Sequence, residues 1–102
     1  MKVTQTAFIV GEKDKHIAKL ISQPNLDVVN IQLKKGERIP THHAACDVLI
    51  IVRRGIVAFT IEGGTVELTN ENILHMNPYE NHSLLAKEDA DVIVVKVDVR
   101  DK

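Results

Sequence analysis

The sequence predicts an all-β fold, a sandwich or barrel of short strands. Three observations carry that reading: short apolar runs rich in β-branched residues, turn residues recurring between them, and a Gly-Gly pair set between two such runs.

The elements follow in chain order. The stretch from Glu12 to Ile21 has no helix cap, and His16 to Ile21 is read as a strand. From Leu26 to Leu33, Val29, Ile31 and Leu33 alternate with Asn30 and Gln32, the period-2 pattern of a half-buried strand that ends at Lys34-Lys35-Gly36. Val48 to Val52 is continuously apolar; its shortness and the flanking Arg53-Arg54-Gly55 favour a strand over a helix. Ile56 to Ile61 comes next. Glu62-Gly63-Gly64-Thr65 is a hairpin signal joining it to Val66-Glu67-Leu68, and Thr69 to Asn72 makes the turn before Ile73. A last strand is expected over Asp91 to Val99, with Ile93, Val95, Val97 and Val99 on one face and Lys96 and Asp98 on the other. Pro24, Pro40 and Pro78 are placed between the strands, where a missing backbone donor does no harm to a ladder.

A chain of 102 residues is expected to form one domain over 1–102. Its 44% hydrophobic and 26% charged residues are ordinary for a globular protein, and no apolar run approaches the roughly 20 residues that cross a bilayer, so no membrane partner is expected. The residues after Met1 contain only Ala7 to Val10 as an apolar run before Gly11-Glu12-Lys13, too short for a secretory leader. Together with the single, unpaired Cys46, this points to the cytoplasm. A net charge of −1, scattered basic residues and only Phe8, Phe59 and Tyr79 as aromatics argue against nucleic-acid binding. Gly-x-Ser-x-Gly is absent, and Gly63-Gly64 is a turn rather than a phosphate-binding loop, so hydrolase and nucleotide-binding readings are weak.

The densest signal is Gly36-Glu37-Arg38-Ile39-Pro40-Thr41-His42-His43, followed by Ala44-Ala45-Cys46-Asp47 and the apolar run to Gly55. Downstream, Ile73-Leu74-His75-Met76 leads through the Pro78 loop to His82. In this order of glycines, proline and histidines the chain resembles the cupin family from about Leu26 to Val97, with Gly36, His42 and Gly55 at the separations of the first cupin motif and His82 in the second. The resemblance implies a double-stranded β-helix, the jelly-roll cupin barrel, of the small stand-alone RmlC-like kind. It also implies a homodimer, for which Val92, Val94 or Phe8-Ile9-Val10 would supply interface.

Metal-binding cupins use two histidines and a glutamate from the first motif and one histidine from the second. Carried over, His42 matches the first histidine and His82 the last, while Ala44 and Val48 occupy the other two ligand positions. His43 and Asp47 stand one residue early, and alternation turns both away from His42 unless a β-bulge re-aims them. His75 is a further candidate ligand, and Ala44, Cys46, Val48 and Met76 are expected to line the pocket.

Three readings of these residues stand side by side. His42 and His82, with His43, Asp47 or His75, hold a divalent ion such as Fe, Mn, Ni, Cu or Zn. Alternatively, the two histidines line a metal-free pocket that binds or protonates a small ligand. In the third reading, they are merely satisfied by hydrogen bonds at the barrel mouth. An enzyme of this kind would carry out metal-assisted oxidation, isomerisation or decarboxylation of a small organic acid; its rival is a non-enzymatic binding or sensor module.

Overall fold

The computed structural model describes residues 1–10 and 15–98. Alternation, short runs and frequent turns produce nine strands among them: β1 (His16–Gln23), β2 (Leu26–Leu33), β3 (Arg38–His42), β4 (Asp47–Arg54), β5 (Val57–Ile61), β6 (Gly64–Leu68), β7 (Ile73–Met76), β8 (His82–Ala86) and β9 (Ala90–Val97). They form two antiparallel sheets, ordered β1-β2-β9-β4-β7 and β3-β8-β5-β6, so neighbours in sequence repeatedly fall in different sheets. This is the jelly-roll arrangement that the sequence predicts. No helix among the described residues is long and apolar enough to cross a membrane.

Alternate residues of each strand face the other sheet and make the core. Val29, Ile31 and Leu33 of β2, Val48, Ile50 and Val52 of β4, and Ala90, Val92 and Val94 of β9 meet Phe59 of β5 and Leu84 of β8. Phe59 and Val92 are completely buried, each burial of such a side chain contributing about 1.5–3 kcal/mol. Val92 and Val94, named above as interface, are core residues because they share β9's inward face with Ala90. The outward face of β9 carries Ile93 and Val95, and Lys96 points inward with Val94; Val99 lies outside the described residues.

Two glycines are required where they stand. Gly55 turns the chain between β4 and β5 at φ +83°, and a Cβ there would run into the carbonyl oxygen of Asp89. Gly63, at φ +88°, closes the two-residue β5–β6 hairpin in which Ile61 pairs with Gly64.

Three strand details differ from the sequence reading. Pro40 lies within β3, not between strands, and is tolerated because β3 is an edge strand and carries a bulge there. β8 occupies the segment after His82, which the apolar patterning did not single out as a strand. Asn30 and Gln32 are fully buried rather than half-exposed, because residues 6–9 cross the outer face of β2 and cover them.

That cover is held by a closed polar network. Asn30 donates to Asp91 Oδ1 at 2.6 Å, Gln32 donates to Asn30 Oδ1 at 2.8 Å and to the Ala7 carbonyl at 2.7 Å, and Ile9 N–H donates to Gln32 Oε1 at 2.8 Å. Arg53 reaches the buried Asp91 carboxylate at 2.6 Å, and Arg54 lies 4.3 Å over the Phe8 ring. No buried side-chain nitrogen or oxygen among the described residues lacks a partner, as a low-dielectric interior requires. The Phe8-Ile9-Val10 stretch, the other proposed interface, therefore belongs to a segment lying against this chain's own sheet.

Candidate functional site

Between the sheets lies a cavity of about 160 Å³, walled by Val29, Ile31, Val48, Ile50, Phe59, Leu84 and Val94. Its polar groups are His42, His82 and Lys96. The lining residues that reach solvent are Ile17, Ile39, His42, Ala44 and Lys96, so the opening lies between β1 and β3 and the apolar wall forms the floor.

The β3 bulge puts His42 there. Ile39 pairs with Leu84, but His42 pairs with His82, so an extra residue of β3 is accommodated over Pro40 and Thr41. In unbroken register Thr41 would face inward and His42 outward; the bulge reverses this and sets the two imidazoles 4.2 Å apart, ring to ring. The bulge that would re-aim His43 and Asp47 lies one step earlier in the chain and re-aims His42 instead.

Backbone carbonyls set the tautomer of both rings. His42 Nδ1 stands 2.9 Å from the Pro40 carbonyl and His82 Nδ1 3.0 Å from the Glu80 carbonyl. A carbonyl only accepts, so each Nδ1 donates, and in the neutral ring Nε2 remains as the acceptor. Burial pushes the His82 pKa below its ordinary value, and the charges of His42 and Lys96 lower it further against the opposing Glu80 carbonyl. His82 is therefore a neutral imidazole near pH 7.

The other candidate ligands lie apart. Asp47 and His75 sit together on the outer face of the larger sheet, with His75 Nε2 2.9 Å from Asp47 Oδ1. His43 lies outside the barrel beside Tyr79, ring centroids 5.8 Å apart. Of the expected lining residues, Ala44 and Val48 are on the cavity wall. Cys46 instead borders a separate cleft with Pro24, Asn25 and Lys96, and Met76 is buried in the core, because the loop before β4 and the end of β7 direct them elsewhere. Sequence reasoning did not single out Lys96 or Phe59 as cavity residues. The signal for Lys96 was its parity with Val92 and Val94, hidden by the apolar residues on the opposite face of β9.

The donor set does not fit a resident metal ion. Catalytic zinc takes three protein ligands and structural zinc four. No group of three or more His, Cys, Asp or Glu residues among the described residues is placed to hold an ion, and the ammonium of Lys96 shares the cavity with the two imidazoles. What the arrangement offers instead is the Lys96 cation and two imidazoles, that of His82 neutral, beside the opening of an apolar chamber.

No protein-family model matches the chain, and no curated protein matches it. Solved structures do. An RmlC-like cupin protein from Desulfovibrio desulfuricans superposes with a TM-score of 0.84 at 20% identity, covering 95% of this chain and 96% of that one. An RmlC-like cupin family protein with a double-stranded β-helix fold, from Methanocaldococcus jannaschii, gives 0.76 at 24% identity over 96% of this chain and 91% of its own. KdgF from a Halomonas species gives 0.75 at 22% identity, covering 96% and 97%. At these identities the likeness is one of fold. The two sheets, their strand order and these superpositions together establish that the chain has the cupin fold, the double-stranded β-helix of the RmlC-like proteins.

Proposed function

We propose that the chain is a metal-free cupin that binds a small monocarboxylate with an apolar tail, the tail entering the barrel and the carboxylate meeting Lys96 and the two imidazoles. The observation that carries this reading is the polarity of one cavity: its floor is wholly apolar, and its cation and imidazoles stand at or beside the opening. Apolar surface leaving water supplies the affinity, and the Lys96 ammonium selects the anionic head. The size follows from the volume. A cavity of about 150 Å³ holds a benzene ring, so about 160 Å³ here suits a tail of five or six carbons. With the carboxylate bound, His82 takes up a proton from water and donates a charge-assisted hydrogen bond to the anionic head.

The rival reading has His42 and His82 holding Fe, Mn, Ni, Cu or Zn and assisting a reaction of a small acid. Among the described residues no third or fourth protein donor stands with these two histidines.

Two measurements on untagged protein separate the readings. Calorimetric titration with hexanoate is expected to show saturable binding that Lys96→Met weakens at least tenfold, the scale of one charge-assisted hydrogen bond. Elemental analysis of protein expressed with Mn, Fe, Co, Ni, Cu and Zn is expected to find no stoichiometric metal. Near-stoichiometric metal that is lost in the His42→Ala/His82→Ala variant, with no hexanoate binding, would overturn the proposal.

A further inference from the structure

We infer that Phe59 is a specificity-determining residue of this cavity, the stop against which the tail of the acid ends, and that it restricts the ligand to linear acids of up to about six carbons; the inference rests on the carboxylate-binding reading above. His82 pairs with Ile61 of β5, and Phe59 pairs with Leu84, the next inward-facing residue of β8, so Phe59 stands one rung, about 7 Å, beyond the imidazole. In the facing sheet Lys96 pairs with Val48, and Val94, one rung further, pairs with Ile50. One end of the chamber therefore holds the polar groups, and the rung beyond it is apolar. Across the strands the placement agrees: the opening lies between the edge strands β1 and β3, and β5 is two strands in from β3, about 10 Å.

Phe59 is the largest of the completely buried side chains, and its ring centroid lies 6.4 Å from that of His82, tilted by 30°. Beyond it the barrel is closed. Val57 and Ala86 are the next inward pair of β5 and β8, Val52 and Val92 the next of β4 and β9, and all four are buried without lining the cavity. A tail that runs inward from Lys96 along the apolar wall thus ends on the Phe59 ring. Methylenes that fit in front of the ring leave water and add affinity, whereas a further one must displace a packed aromatic side chain, which a close-packed interior resists. Ile50 and Val94, on the same rung, are smaller, so a change at Phe59 alters the depth most.

The test is calorimetric titration with butanoate, hexanoate and octanoate on wild type, Phe59→Leu, Phe59→Met and Lys96→Met, with thermal midpoints of the free proteins. Leu33→Ala serves as the comparison, since Leu33 is buried in the core and lies outside the cavity. In wild type the affinity should rise about fourfold per methylene from butanoate to hexanoate and rise no further at octanoate. Phe59→Leu and Phe59→Met, each with a smaller side chain, should bind octanoate at least about fourfold more tightly than hexanoate. Leu33→Ala should lower the thermal midpoint and keep the wild-type order of acids. With hexanoate binding weakened by Lys96→Met as expected, three results would each overturn this inference alone: an affinity that goes on rising to octanoate in wild type, the wild-type order kept in both Phe59 variants, or the same change of order in Leu33→Ala. Wild type that binds none of the acids overturns both readings.

Discussion

Lowering the pH from 8 to 5.5 should strengthen carboxylate binding, and His82 sets the size of the effect. In the free protein its pKa is lowered first by burial and then by the positive charges of His42 on β3 and Lys96 on β9; Glu80, on its own loop, opposes them. A carboxylate at Lys96 offsets that charge and places a negative one beside the imidazole, so the bound pKa lies above the free one. Binding then takes up a proton wherever the pH lies between the two values. One proton corresponds to a change of at most tenfold per pH unit, about 1.4 kcal/mol, with the affinity levelling off outside that window. The ligand remains ionised throughout, since carboxyl groups titrate near pH 4. Titration of hexanoate in buffers of differing ionisation enthalpy gives both the affinity slope and the proton count. His82→Gln, which keeps a polar side chain of similar size without titrating, should flatten the slope. An affinity that is independent of pH, or that weakens on acidification in wild type, would refute the reasoning.

The same histidine makes the free protein less stable in acid. Its folded pKa lies below the unfolded value near 6.5, so the folded state binds fewer protons, and its contribution is present above about pH 6.5 and lost as the pH falls toward the folded value. The midpoint of thermal unfolding should therefore drop below pH 6.5 in wild type more than in His82→Gln. Gly55→Ala should destabilise by more than about 2 kcal/mol, because it combines a left-handed conformation with overlap at the Asp89 carbonyl; roughly 10 °C in the thermal midpoint is expected, and a shift within a degree would contradict the geometry. Asp91→Ala should cost about 1–3 kcal/mol, because the buried Asn30 amide keeps only the Val92 carbonyl as acceptor, while the half-exposed Arg53 retains Thr6 and solvent. It should also expose residues 1–10 to proteolysis, read by mass spectrometry after brief protease treatment.

Much of the fold was legible as a pattern. Alternation in β2, the Gly63 hairpin and the apolar run of β4 correspond to observed strands, because period-2 patterning and turn glycines are local properties. The motif histidines His42 and His82 are brought together in one cavity, as the family resemblance implied. Neither the inward direction of Lys96 nor the burial of Asn30 and Gln32 was readable. Alternation says that a strand has two faces, but which face is covered depends on what crosses it, here residues 6–9, which contact β2 from more than twenty positions away in sequence.

By itself, the sequence determined an all-β chain with turns at Gly36, Gly55 and Gly63, because backbone propensity and hydrophobic period are written residue by residue, and its resemblance to the cupin family singled out His42 and His82. Only the tertiary structure decided what those histidines face. One extra residue in β3, over Pro40 and Thr41, swings His42 inward against His82, and the register of β9 against β4 brings Lys96 to the same cavity. Strand register is fixed by pairing across the sheet, and a one-residue shift exchanges the two faces, so the chemistry of the site was settled by contacts distant in sequence.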